Sequence, residues 1–288
     1  MKIALIGTGL MGFPMAERLL DTGHQLIVFN RTRDKALPLA GSGAEIAKEP
    51  LAAISQAELT LLMLSDAAAI RETLEPHGRL PDLTDACLIQ MGTIAPRESV
   101  ALWEDIRRAG GRYLEAPVLG SRPQARDGKL LIMVGAAEDE FRRCYDVLDQ
   151  LGSEPVRVGR VGQAAALKLA YNQLIAAELA GFATAVAMAR HHRIDSEKLM
   201  ALLRRSAIYA PTFEAKLPRF LEADFSRPNF PARHLLKDLE LARGVAEESG
   251  LATPALSGLC DLLERAVAEG RGDDDYSVIA ALIDPERS

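Results

Sequence analysis

Cysteine is scarce. The three residues Cys87, Cys144 and Cys260 are odd in number and far apart along the chain, which excludes a disulfide framework and offers no metal-ligand spacing. Aromatic residues make up only 5% and tryptophan occurs once, so the core must be aliphatic. There is no surplus of positive charge: 34 Lys and Arg stand against 40 Asp and Glu, a formal net charge of -6. A nucleic-acid or acidic-membrane partner is therefore not expected. The arginine pairs Arg107-Arg108, Arg142-Arg143 and Arg204-Arg205 have acids nearby and read as solvated helix faces. His24, His77, His191, His192 and His234 show no ligand grouping, and the adjacent pair would point about 100° apart on a helix, so no metal is expected. No serine or cysteine lies in a GxSxG context. Of Asp273, Asp274 and Asp275, one is expected to cap the last helix. The chain enters an apolar run directly after Met1-Lys2, which leaves no room for a signal peptide and makes cytoplasmic residence the expectation.

The 288 residues, 48% apolar, suit two domains. Up to about residue 160, apolar runs of strand length alternate with helix-length segments. The runs are Lys2–Ile6, Gln25–Phe29, Leu59–Leu64, Cys87–Met91, Tyr113–Glu115 and Leu130–Val134. Such alternation predicts a mostly parallel sheet covered on both faces. Beyond Val161 strand-like runs stop, and helices are expected near 162–191, 196–205, 212–222, 233–249, 254–268 and 275–283. The fold class is α/β in residues 1–160, followed by an all-helical domain in 161–288 joined through a long helix. The apolar stretch Val161 to Ala189 carries Lys168, Gln173 and Glu178, each badly placed against lipid. It reads as a buried helix between domains or subunits, which leaves room for a homodimer or homotetramer and not for a membrane span.

Gly7-Thr8-Gly9-Leu10-Met11-Gly12 is a GxGxxG that ends a strand and opens a helix, the context that makes this pattern specific for a dinucleotide. Gly7 permits the tight turn, Gly9 admits a pyrophosphate to the backbone, and Gly12 lets the helix pack on the strand. The helix start, with the amides of Leu10 and Met11, presents N–H groups and partial positive charge to phosphate. The first domain is thus expected to be a Rossmann domain. After the second strand the sequence runs Asn30-Arg31-Thr32, where an NAD site usually places a carboxylate for the ribose hydroxyls. None is present. Arg31 offers a planar donor fork to a 2′-phosphate, with Asn30 and Thr32 as neutral partners, so NADPH or NADP is the expected cofactor.

In Gly162-Gln163-Ala164-Ala165-Ala166-Leu167-Lys168-Leu169-Ala170-Tyr171-Asn172, Lys168 and Asn172 stand one helical turn apart on one face. The alanines and leucines around them would bury that face, and a lysine there is costly unless a partner or a task holds it. Hydride reduction of a carbonyl needs a proton donor at the developing alkoxide, which a partly desolvated ammonium supplies.

Four blocks together resemble the β-hydroxyacid dehydrogenase family, which includes 3-hydroxyisobutyrate dehydrogenases and glyoxylate/succinic semialdehyde reductases. They are Gly7 to Ala16; Glu115-Ala116-Pro117-Val118-Leu119-Gly120-Ser121 continuing to Gly128; Gly162 to Asn172; and Phe230-Pro231 with Leu236-Lys237-Asp238-Leu239. The resemblance implies that Lys168 is the general acid/base and that Asn172 orients the substrate. By the same resemblance Gly120 and Ser121 bind the substrate carboxylate, Thr93 sits near nicotinamide and substrate, and Phe230 and Asp238 line the substrate side. Lys237 would lie near the cofactor, as would the loop carrying Leu64, Ser65 and Asp66. Leu119 stands where the family usually has serine, so one carboxylate donor is missing from the substrate loop. Ser121, Glu115 and Ala210-Pro211-Thr212-Phe213 lean toward the glyoxylate/succinic semialdehyde reductase branch, which prefers NADPH. The expected reaction is NADPH-dependent reduction of a small aldehyde acid. Its alternatives are oxidation of a 3-hydroxyacid such as 3-hydroxyisobutyrate, an imine reductase, against which Lys168 counts, and a non-catalytic nucleotide-sensing relative.

Overall fold

The computed structural model describes residues 1–285, and the chain divides into two compact units, Met1–Leu169 and Ala170–Ser288. The first unit begins β1 (Lys2–Ile6), α1 (Gly12–Asp21), β2 (Gln25–Phe29), α2 (Leu37–Ala40), β3 (Glu45–Ile46), α3 (Pro50–Ile54), β4 (Leu59–Leu62) and α4 (Ala67–Leu74). It continues β5 (Cys87–Gln90), α5 (Pro96–Arg108), β6 (Arg112–Glu115), β7 (Val118–Leu119), α6 (Arg122–Asp127), β8 (Leu131–Gly135), α7 (Glu138–Leu151) and β9 (Val156–Gly159). Helix α8 (Gln163–His191) runs through the division into the second unit. There it is followed by α9 (Ser196–Leu203), α10 (Pro211–Glu222), α11 (Ala232–Glu248), α12 (Pro254–Ala268) and α13 (Ile279–Ile283), the last preceded by a 3-10 turn at Tyr276–Val278.

The sheet runs β3-β2-β1-β4-β5-β6-β8-β7, with β9 beside β8. It is parallel from β3 to β6, in line with the strand–helix alternation. Strand β8 then lies antiparallel to both β6 and β7. The strand residues alternate between two cores: Ile3 and Leu5 join one with Met15 and Leu19 of α1, while Ala4 and Ile6 join another with Ile70, Leu102 and Ile106. Each fully buried Ile or Leu adds about 1.5–3 kcal/mol relative to exposure, which is why these runs were readable as strands. Strands β3, β7 and β9 carry no such signal, having two, two and four residues and partly exposed side chains.

Cys87 and Cys144, distant in sequence, meet across the first core with sulfurs 3.9 Å apart, both reduced. No metal-ligand cluster occurs among the described residues. In the second unit Asp275 accepts from Ser277 N at 3.1 Å, capping the 3-10 turn that leads into α13. Asp275 also holds the buried Lys216 of α10 at 2.6 Å, with that ammonium 4.2 Å from the Tyr276 ring centroid. Among the described residues α8 is the single helix long and apolar enough to cross a membrane, by length and composition alone.

Candidate active site

The glycine motif forms a cradle at the carboxyl end of β1. Gly7 takes a φ of +99° and donates to Phe29 O at 2.8 Å. A Cβ on Gly7 would strike the Met63 carbonyl, and one on Gly12 would strike the carbonyl of Gly7. A Cβ on Gly9 would meet nothing within 4 Å, so the middle of the cradle is open to a ligand. No side chain caps the start of α1, which leaves its orphan amides and partial positive charge to an anion. These residues fit a dinucleotide pyrophosphate.

At the end of β2, Asn30 Oδ1 accepts from Thr8 N at 3.0 Å, and its Nδ2 donates to Thr32 O at 2.8 Å. Its amide therefore fastens the glycine loop to the β2 loop. No local pattern in the sequence announces a bond that joins these two loops, and it stands beside the role at the 2′-phosphate expected for Asn30. Arg31 is 85% exposed in its side chain and pairs with the exposed Glu72 at 3.4 Å. Such a surface pair is weak and leaves the guanidinium able to turn to a 2′-phosphate. Thr32 is also exposed.

Two further loops meet nearby. A Cβ on Gly92 would strike Leu64 O, so the strands' exits at Leu64-Ser65-Asp66 and Gly92-Thr93 pack backbone to backbone. Asp66 caps α4 by accepting from Ala69 N at 2.8 Å and also accepts from Ser65 Oγ at 2.8 Å. In the substrate loop, Leu119 pairs with Leu131 in the sheet and Gly120 has a φ of +133°. Ser121 opens α6, and its hydroxyl and amide both bond Gln124 Oε1.

Lys168 sits on the second turn of α8 and is only 8% exposed. The first turn of α8 is gripped by Glu115, at the end of β6, which is fully buried. Its Oε1 accepts from the amides of Gly162 at 2.8 Å, Ala164 at 2.8 Å and Ala165 at 3.2 Å, and its Oε2 accepts from Ser99 Oγ at 2.5 Å. Burial pushes this carboxyl above its ordinary value, opposed by the Ser99 hydroxyl and those three amides. In the second unit Asn172, fully buried, donates from Nδ2 to Asp238 Oδ2 at 2.6 Å. Lys237 Nζ lies 2.8 Å from Asp238 Oδ1. Phe230 stands with its ring 5.8 Å from that of Tyr276. The first unit thus joins the glycine loop to Asn30 and to the loops at 64–66 and 92–93, and it also carries Arg31, the loop at 119–121 and Lys168. The second brings Asn172 and Lys237 together on the Asp238 carboxylate.

Comparison with known proteins fits this geometry. Residues 2–162 match the family model described as the NAD binding domain of 6-phosphogluconate dehydrogenase. Residues 162–283 match that of the NAD-binding region of NADP-dependent 3-hydroxyisobutyrate dehydrogenase. Glyoxylate/succinic semialdehyde reductase 1 of Arabidopsis thaliana is 30% identical over 281 residues, covering 97% of each chain. The 3-hydroxyisobutyrate dehydrogenase of Mycobacterium tuberculosis, solved with L-serine, has a TM-score of 0.86 at 23% identity, over 100% of this chain and 99% of that one. An imine reductase of Myxococcus stipitatus, solved with NADP+, reaches a TM-score of 0.68 at 21% identity, over 98% of this chain and 100% of that one. Fold and site together define an NAD(P)-dependent oxidoreductase. Within that class, the chain belongs to the β-hydroxyacid dehydrogenase family.

Proposed function

We propose that this enzyme reduces a small aldehyde acid of the glyoxylate or succinic semialdehyde kind, with NADPH as the reductant and Lys168 as the general acid. The observation that carries the reading is Lys168 itself: a lysine 8% exposed on a helix turn whose neighbours Ala164 and Ala165 are buried, where an ammonium largely shielded from water acts strongly on charge developing beside it. NADPH, when bound, supplies the hydride. Lys168 holds a proton at Nζ and delivers it to the carbonyl oxygen as negative charge develops there. The same lysine takes that proton back when the reaction runs toward the aldehyde.

Ser121 Oγ and the backbone at Gly120 bind the substrate carboxylate. Ser121 must exchange its bond to Gln124 for that role. Leu119, apolar in this loop, narrows the polar contacts and favours a substrate with an aliphatic stretch beside the carboxylate. Asp238 accepts a hydrogen bond from the side-chain amide of Asn172 and so fixes the rotation of that amide. Arg31 reads the 2′-phosphate, which supports NADPH over NADH.

Purified enzyme mixed with NADPH and either aldehyde should lose the absorbance of the reduced nicotinamide. No turnover on either, beside robust oxidation of 3-hydroxyisobutyrate with NADP, overturns the proposed substrate and leaves the family intact.

A further inference from the structure

Helix α8 begins at Gln163, and the residue before it, Gly162, has no side chain with which to cap. A helix that starts this way leaves the amides of its first turn without partners. Glu115 supplies the missing cap from 47 to 50 residues away, taking the amides of Gly162, Ala164 and Ala165 on one oxygen. Its second oxygen takes the only proton of Ser99 Oγ. The Tyr113 hydroxyl, 2.9 Å from Ser99 Oγ, must then donate to it. The chain of donors runs Tyr113 to Ser99 to Glu115, and every bond on the carboxylate is accepted. Gly135 shares this corner, where any Cβ would strike the Glu115 side chain.

The three attachments lead to three parts of the site. Glu115 ends β6, and five residues on the same strand-and-turn segment reach Gly120, with Ser121 next. Ser99 lies on α5, which begins three residues after Thr93. The capped amides open the helix that carries Lys168. Lys168 follows Ala164 by one turn and, because helical side chains lean toward the N-terminus, it covers the turn that Glu115 grips. A shift in that turn moves the lysine directly, since about 1.5 Å of rise separates successive residues.

Resting on the reading of Lys168 as general acid, we propose that Glu115 is its positioning residue: the carboxylate pins the first turn of α8 to β6 and α5, and so sets the lysine's height and rotation against the substrate loop. Glu115 touches neither substrate nor cofactor. It acts through the helix.

Glu115→Gln keeps the size and one acceptor oxygen while removing the charge from three amide bonds, so it loosens the clamp without opening a cavity. A displacement of about 1 Å at a reacting group is enough for a roughly 100-fold loss. We expect kcat per folded molecule for aldehyde reduction to fall about 10- to 100-fold, with KM for NADPH within about 2-fold. Glu115→Asp, which keeps the charge, should recover most of that loss. Hydrogen exchange by mass spectrometry on cofactor-free protein should show faster exchange across residues 162–168 in Glu115→Gln and unchanged exchange in β1 and β4. Faster exchange with unchanged kcat per folded molecule would make Glu115 a cap and nothing more, overturning the proposal. So would a parallel rise in the KM for NADPH, or exchange that does not change at all. Where Glu115→Gln fails to fold, Ser99→Ala removes a single bond to the carboxylate and should lower kcat about 2- to 5-fold with the same local exchange signature. An unchanged kcat there also overturns it. Lys168→Ala, run alongside, separates the two claims: if that variant retains wild-type kcat, the general-acid reading fails, while the exchange data still report whether Glu115 holds the turn.

Discussion

Two buried carboxylates hold the helix that bears Lys168, and they hold different things. Glu115, in the first unit, grips main chain: three amides of one helical turn, plus a hydroxyl from α5. Asp238, in the second, grips side chains: the amide of Asn172 and the ammonium of Lys237. A carboxylate bonded to main chain fixes where a helix begins and how it is rotated. One bonded to side chains fixes only the rotamers of those side chains. The first kind should govern the placement of whatever the helix carries; the second should govern the groups it touches.

The largest effect should come from removing the group itself. Lys168→Ala is expected to lower kcat by about 10²–10⁴-fold while NADPH binding, followed by quenching or calorimetry, stays near wild type. Wild-type turnover in that variant would leave the comparison without an object. Next comes Asp238→Ala, which strips Asn172 of an acceptor and Lys237 of a counter-charge and should weaken stability by about 1–3 kcal/mol. It should lower kcat and raise the KM for NADPH together, in contrast to the isolated kcat loss of Glu115→Gln. Identical kinetic signatures in the two variants would erase the distinction between gripping backbone and gripping side chains.

Arg31→Ala should raise the KM for NADPH about 10- to 100-fold, the equivalent of one lost charged hydrogen bond. It should leave the KM for NADH and the melting temperature nearly unchanged, because the side chain is exposed. Equal effects on the two cofactors would remove the phosphate assignment.

Asp275 is the control, a buried carboxylate whose bonds run to Lys216, Ser277 and the Asn229 amide and not to α8. Burial pushes its pKa up, but the Lys216 ammonium and the Ser277 bonds outweigh this and hold it below the ordinary value. Its contribution is therefore present above the ordinary carboxylate value and is lost as pH falls through the depressed folded-state value. Asp275→Asn should cost about 3–5 kcal/mol near neutral pH by stranding Lys216, flatten the acid end of the stability curve in thermal melts, and leave kcat per folded molecule unchanged. A change in that kcat would show that burial alone, and not attachment to α8, explains the other two carboxylates.

Much of the fold was legible because it rests on short-range signals. The apolar runs at Lys2–Ile6 and Gln25–Phe29 coincide with β1 and β2, and the glycine motif sits where strand meets helix. What escaped depends on residues distant in sequence. Nothing local to Glu115 announces amides 47 to 50 positions away, and nothing local to Lys216 announces Asp275. The position of Asn30 after β2 predicts a ligand donor, but gives no sign of its bonds to Thr8 and Thr32. Strands β3 and β7 are two residues long, too short for any periodicity to show. The boundary expected between residues 160 and 161 falls within nine residues of the division after Leu169, because α8 crosses it without a break.

The crowding around the glycines also constrains how this enzyme's lineage can vary. Positions 7, 12 and 92 are reserved by the carbonyls of Met63, Gly7 and Leu64, which leave no room for even a methyl group. Drift is closed there. A few residues away, Arg31, Thr32 and Arg33 all face solvent, and exchanging them disturbs no packing. Changes of cofactor preference in descendants of this chain should therefore accumulate in that exposed tripeptide, while the loop that receives the pyrophosphate stays invariant.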